Sequence, residues 1–210
     1  MKKIILCLLT FCSIAINAQT TLTTAVDFTA KDIEGNTFNL FSKLGEGKYV
    51  LIDFFFTNCG PCQNTAPKLH EAFMTYGANN PDAQVYFVSI NRDDNNAVMQ
   101  SWESTYMNPT GPYPKGISGT EGSATGGPQS FSATYGITAY PTMILIAPDL
   151  SIVEQDIWPI GKLMTLIHFL PLMVLRLLLL VFRILQLIIT YQYFHLLQKS
   201  RLHYQLMERN

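Results

Sequence analysis

Cysteine is scarce in this 210-residue chain, with four residues at positions 7, 12, 59 and 62. So small a set excludes a scaffold stapled by several disulfides. Histidine is equally sparse: His70, His168, His195 and His203 form no ligand-spaced cluster with the cysteines, which argues against a tetrahedral zinc site. An excess of one charge sign is also missing. Fourteen basic residues face 15 acidic ones for a net charge of −1, so the chain has no electrostatic footprint for nucleic acid. What it does have is a 48% hydrophobic composition, enough for one well-cored domain plus extras.

The two ends differ from the middle. The first 18 residues, MKKIILCLLTFCSIAINA, place Lys2 and Lys3 before an apolar run from Ile4 to Ile16 and then the small residue Ala18. That is the layout of a secretory signal peptide over residues 1–18, with cleavage after Ala18, and the run is shorter than the ~20 residues a membrane span needs. The expected location is therefore periplasmic, cell-envelope or secreted in a bacterium. Removing the segment removes Cys7 and Cys12 and leaves Cys59 and Cys62. A pair so close in sequence constrains almost nothing in the unfolded chain, so redox chemistry becomes its favoured use.

Beyond Gly161 the composition changes again. Leu163 to Asn210 holds 15 leucines in 48 residues and no Gly, Ala or Asp. Residue types encoded by codons beginning with G number three there, against 46 in residues 1–162. This 162–210 tail reads as an out-of-frame replacement of the natural C-terminus. The alternative is a membrane-associated segment over 163–189, which Arg176, Arg183 and Pro171 disfavour.

Between the ends, strands alternate with helices. Two short apolar-alternating runs in DFTAKDIEGNTFNL, joined by Glu34-Gly35-Asn36, predict a β-hairpin. Tyr49 to Phe56 (YVLIDFFF) predicts a central strand buried on both faces. Pro61 suits a first helical turn, and Leu69, Phe73 and Tyr76 recur at helical spacing up to Gly77. A strand over Gln84 to Ile90 follows, then a helix beginning at Asp93-Asp94 and carrying Val98, Trp102 and Tyr106. Asn108 to Gln129 contains six glycines and four prolines in 22 residues and is expected to be a loop. Ser130 to Tyr135 predicts a short helix, Thr142 to Ile146 a third core strand, and Ile152 to Asp156 a fourth after the turn at Ala147-Pro148-Asp149. The fold class is α/β with a mixed central sheet flanked by helices and an N-terminal hairpin extension, spanning residues 19–161.

Three motifs in order, DFTAKDIEGNTFNL, YVLIDFFFTNCGPCQNTAP and GITAYPT, resemble the thioredoxin superfamily. Within it they are similar to exported TlpA/ResA-like thiol-disulfide oxidoreductases that share a profile with the alkyl hydroperoxide reductase/thiol-specific antioxidant family. The resemblance runs from about Asp27 to Trp158. It implies that Cys59 is the nucleophile, Cys62 the resolving thiol and Asp53 a buried carboxylate that moves protons during exchange. It also implies that Pro67 kinks the first helix and that Pro141 is a cis-proline facing the disulfide, preceded by Tyr140. Asn58 stands where thioredoxins commonly have Trp, and Gln63 where a basic residue often follows the second cysteine.

The chemistry explains the residue types. Disulfide exchange needs a thiolate, and an ordinary cysteine with a pKa of about 8.5 is mostly protonated at neutral pH. A helix N-terminus stabilises the anion through unpaired N–H groups and the dipole. Gly60 is expected to permit a tight turn there and Pro61 to start the helix without losing a hydrogen bond. An aspartate within YVLIDFFF is costly to bury ionised, so a raised pKa is expected for Asp53. No metal or organic cofactor is called for. The expected partners are protein thiols or disulfides and an upstream redox protein, with Gly-Pro resembling the reducing end of the superfamily. Two alternatives stand beside this reading. One is a peroxiredoxin, which would want threonine three residues before its cysteine, where this chain has Phe56 with Thr57 out of register. The other is a thioredoxin-fold binding module without catalysis.

Overall fold

The computed structural model describes residues 20–107, 113–122, 127–161 and, farther on, 181, 182, 184–186, 188 and 191. Chain contacts divide it into two units, Met1–Leu163 and Met164–Asn210. The 1–18 segment and nearly all of the tail lie outside the described residues. So do the readings placed on them. The described tail residues are helical and exposed, and among the described residues no helix is long and apolar enough to cross a membrane.

The hairpin forms as its pattern predicts, with β1 (Thr29–Lys31) antiparallel to β2 (Thr37–Asn39). Its turn closes on Asp32, whose Oδ1 accepts the N–H groups of Glu34 at 3.0 Å and Asn36 at 2.9 Å. Gly35 completes it at φ +87°, a left-handed conformation that a side chain would strain. Helix α1 (Leu40–Gly45) follows, capped by the Asn39 side chain.

The remaining strands build one five-stranded sheet in the order β5-β4-β3-β6-β7. Strand β3 (Tyr49–Phe55) lies at its centre, parallel to β4 (Val85–Asn91) and antiparallel to β6 (Thr142–Ile146). Strand β5 (Lys115–Ile117) runs parallel to β4, and β7 (Ile152–Glu154) antiparallel to β6. Helix α2 (Gly60–Thr75) links β3 to β4, α3 (Asn96–Tyr106) follows β4, and α4 (Gly127–Thr134) precedes β6.

Side chains alternate across β3 and give the sheet two distinct faces. Val50, Ile52 and Phe54 join Phe28, Phe131 and Tyr135 in one apolar cluster. Phe28 stacks on Phe131 at 4.5 Å, and the Tyr135 hydroxyl donates to the Val26 carbonyl at 2.7 Å, so the N-terminal segment is bound to this face. Leu51, Asp53 and Phe55 point the other way. On that side Phe55 meets Trp102 of α3 at 4.6 Å and Phe87 meets Phe73 of α2 at 5.6 Å.

Two expectations need correction. The helix after β4 begins at Asn96, not at Asp93-Asp94, because the Asn95 side chain caps it by accepting the Val98 N–H at 2.9 Å. The stretch from Asn108 to Gln129 is not all loop: it contains β5 and the first residues of α4. The segment Lys-Gly-Ile has no alternation of its own, and its pairing with Val88 to Ile90 makes it a strand.

Candidate active site

The site is assembled where β3 gives way to α2. Cys59 is the N-cap of α2 in an extended conformation, and its Sγ accepts the Cys62 N–H at 3.1 Å. A sulfur thus fills the position that a Ser or Asp oxygen takes at an ordinary N-cap, inside the positive end of the helix dipole. Cys59 and Cys62 form a disulfide with Cα atoms 5.2 Å apart. Both residues are buried, whereas Asn58, Gly60 and Pro61 beside them are exposed. Gly60 does not supply the backbone freedom expected of it: its φ is not positive, and a Cβ there would meet nothing within 4 Å.

The strand-to-helix turn is held from both sides. Gln63 donates from Nε2 to the Thr57 carbonyl at 2.8 Å, and the Thr57 N–H donates to Asp94 Oδ2 at 3.0 Å. The same Asp94 oxygen accepts Asn91 Nδ2 at 2.9 Å, while Asn91 Oδ1 accepts the N–H groups of Asp93 and Asp94 at 2.9 and 2.7 Å. Burial opposes ionisation of Asp94. The hydrogen bonds from Asn91 and Thr57 and the nearby Arg92 charge outweigh it and hold the carboxyl below its ordinary value. Asp94 therefore belongs to the support of the site rather than to a helix start.

The Tyr140-Pro141 peptide bond is cis. The Tyr140 carbonyl oxygen lies 3.8 Å from Cys59 Sγ, a contact rather than a hydrogen bond because a disulfide sulfur has no proton to give. The Tyr140 ring meets Phe56 edge-on at 5.5 Å, and the Arg92 guanidinium lies 4.2 Å from the Phe56 centroid and 5.4 Å from that of Tyr140. Arg92 also pairs with Asp93 at 2.7 Å. No feature of the sequence singled out this half-buried rim, because Arg92, Phe56 and Tyr140 are far apart along the chain.

Asp53 shares a sheet face with Leu51 and Phe55 and, across the register, with Phe87, which meets Phe73 of α2. It is 4% exposed, and its Oδ1 has no hydrogen-bond partner among the described residues. Burial pushes its carboxyl up to about 7. Pro67 lies inside α2 on the exposed side, where it can donate no N–H to the helix ladder. His70 and Trp102 are buried and Trp158 is exposed.

A family model described as AhpC/TSA matches residues 22–155. The chain belongs to the AhpC/TSA family. Among curated relatives, this AhpC/TSA chain is 26% identical over 133 residues to the thiol-disulfide oxidoreductase ResA of Bacillus thuringiensis strain Al Hakam, a match covering 63% of the chain and 67% of the relative. Among solved structures, it is similar to the thioredoxin domain of a thiol-disulfide oxidoreductase from Bacteroides vulgatus, with a TM-score of 0.51, 21% identity, and 64% of this chain and 87% of that one covered. A thiol-disulfide oxidoreductase from Bacteroides fragilis NCTC 9343 matches with a TM-score of 0.53 and 19% identity, covering 68% and 98% of the two chains. These structures show the thioredoxin fold for this AhpC/TSA member.

Proposed function

We propose that this AhpC/TSA chain is a thiol-disulfide oxidoreductase that exchanges disulfides with protein partners through Cys59 and Cys62. The observation that carries the reading is the Cys59 sulfur at the N-terminus of α2, accepting the Cys62 N–H while bonded to the Cys62 sulfur. That donor and the helix dipole favour sulfur as an anion, which is the form that attacks and leaves in exchange.

In the reducing direction the Cys59 thiolate attacks one sulfur of a partner disulfide. An S–S bond forms between Cys59 and that sulfur, the partner's disulfide breaks, and its other sulfur is displaced as a thiolate that takes a proton while the partner stays attached as a mixed disulfide. Cys62 loses its proton to Asp53, which burial has made a base suited to neutral pH, and attacks Cys59 Sγ. The mixed disulfide breaks, the partner's second sulfur leaves as a thiolate that takes a proton, the Cys59–Cys62 bond closes, and two electrons have passed to the partner, now a dithiol. A reductase of the exported compartment needs an upstream protein to restore its dithiol. The Met1 to Ala18 pattern supports export, and the Gly-Pro between the cysteines supports the reducing direction.

An extended partner chain has room beside the disulfide, where Asn58, Gly60 and Pro61 are exposed and the carbonyl of half-buried Tyr140 lies 3.8 Å from Cys59 Sγ. Insulin reduction by the dithiol form tests the reading. The wild type accelerates it and Cys59→Ser does not; equal rates for the two proteins, or no rate for the wild type, reject it.

A further inference from the structure

A cavity of about 410 Å³ opens between the hairpin turn, the end of α2, α3 and β5, on elements that the exchange chemistry does not use. Asp32, Glu34, Glu103, Tyr113, Lys115 and Gly116 are among its lining residues. Three of these are carboxylates and one is a cation. Lys115 Nζ lies 3.3 Å from Asp32 Oδ2 and 3.6 Å from Glu34 Oε2. Asp32 is further saturated by the turn it closes, since Oδ2 also accepts Asn36 Nδ2 at 3.1 Å.

Glu103 is different. It is 6% exposed, lines the cavity from α3, and receives no hydrogen bond or ion pair at its carboxylate from any described residue. Its Oε1 occupies the place that a Cβ on residue 116 would take, so the glycine in β5 is what admits the carboxylate to the cavity. The Glu103 carboxylate lines space large enough for a ligand.

We propose that this cavity binds a guanidinium group, with Glu103 as its principal partner. The lining's excess of carboxylates disfavours an anion. No group of three His, Cys, Asp or Glu among the described residues is placed to hold a metal ion. A guanidinium is weakly hydrated and planar, so it gives up water at less cost than an ammonium and can meet a carboxylate with two parallel N–H bonds. Tyr113 in the lining offers an aromatic face. The chemistry is shared by a free guanidino compound and an arginine side chain of a partner. This reading goes beyond the exchange reaction and is independent of it.

The site is also pH-sensitive. Burial, then repulsion from Glu34 and Asp32, pushes Glu103 up to about 7, and Lys115 is the cation facing the same space. The segment after α2 contributes no charged group to the lining. Because a bound cation favours the ionised carboxylate, affinity rises with pH up to and through 7, by as much as about tenfold per unit below that value.

The test titrates the full-length, ¹⁵N-labelled protein at pH 6 and pH 8 with ethylguanidinium, with acetyl-Gly-Arg-Gly-amide and with ethylammonium, following the amides of Glu103 and Gly116. Both guanidinium probes are expected to shift these amides saturably, more tightly at pH 8, and ethylammonium to bind more weakly. Tighter binding of the peptide identifies a partner's arginine, and tighter binding of ethylguanidinium a free compound. Glu103→Gln is expected to weaken either by about tenfold or more. Lys115→Gln, which removes the resident cation, tightens both. Absence of saturable shifts with either guanidinium probe, undiminished binding in Glu103→Gln, or weaker binding in Lys115→Gln overturns the proposal.

Discussion

Asp53 and Ser89 stand opposite one another in the parallel register of β3 and β4, both buried, and neither Asp53 Oδ1 nor Ser89 Oγ has a hydrogen-bond partner among the described residues. Two orphaned oxygens side by side in a sheet interior are a cost to the fold. A carboxyl with a pKa near neutrality accepts and returns a proton readily, and the proposed exchange cycle puts that cost to use.

The cost is measurable as pH-dependent stability. Asp53 has a folded-state pKa of about 7 against an ordinary value of 3.8. Stability is therefore greatest below about pH 4 with respect to this group and declines as pH rises through 7. The full shift corresponds to an upper bound of about 4 kcal/mol. Urea midpoints of wild type and Asp53→Asn should converge near pH 4, and at pH 8 the variant should be the more stable. A variant less stable than wild type at pH 8 contradicts the account.

In exchange the same variant should behave oppositely. Asp53→Asn is expected to slow closure of the mixed disulfide by about a hundredfold at neutral pH, the low end for loss of a general base. Stopped-flow measurement of that step across pH 6 to 9 should show the inflection near 7 disappear in the variant. Unchanged rates and an unchanged profile remove Asp53 from the mechanism.

Much of this arrangement was legible in the sequence. Strand β3, α2 and β6 were legible because long apolar runs and a proline beside a helix start are local signals. The cysteine pair and Asp53 were legible because they stand within those runs. Strand β5 was not: three residues with a central glycine acquire strand geometry only by pairing with β4. Nor was the role of Asp94, whose carboxylate resembles a helix-start signal until Asn95 is seen to take the cap. The rim of Phe56, Arg92 and Tyr140 depends on the sheet order, which places the ends of β3 and β4 beside the turn before β6.

Asp94 fixes the turn that carries Cys59, so its loss should loosen the site before it unfolds the domain. Asp94→Ala leaves the buried Asn91 amide and the Thr57 N–H without their acceptor, a loss of about 1 to 3 kcal/mol. Because its folded-state pKa is lowered, the contribution is present above the ordinary value and is lost as pH falls through the folded one. Thermal unfolding at pH 7 and pH 3 should show the difference between wild type and variant shrinking at the lower pH.

Gly60 should tolerate a methyl group. Its φ is ordinary and a Cβ meets nothing, so Gly60→Ala is expected to leave stability unchanged or to raise it by about 0.4 to 1 kcal/mol through the unfolded chain. Bulkier residues there should slow exchange with folded protein substrates more than with a small disulfide. Insulin and a small aromatic disulfide, compared on Gly60→Ala and Gly60→Leu, measure the contrast.

The central claim is that Cys59 is the attacking sulfur and Cys62 the resolving one, and trapping tests it most directly. Reduced Cys62→Ser, mixed with an excess of a disulfide-bonded peptide and digested for mass spectrometry, is predicted to hold one peptide on Cys59. Reduced Cys59→Ser under the same conditions should remain largely unmodified. An adduct that accumulates faster on Cys62 of the Cys59→Ser protein than on Cys59 of the Cys62→Ser protein contradicts the account.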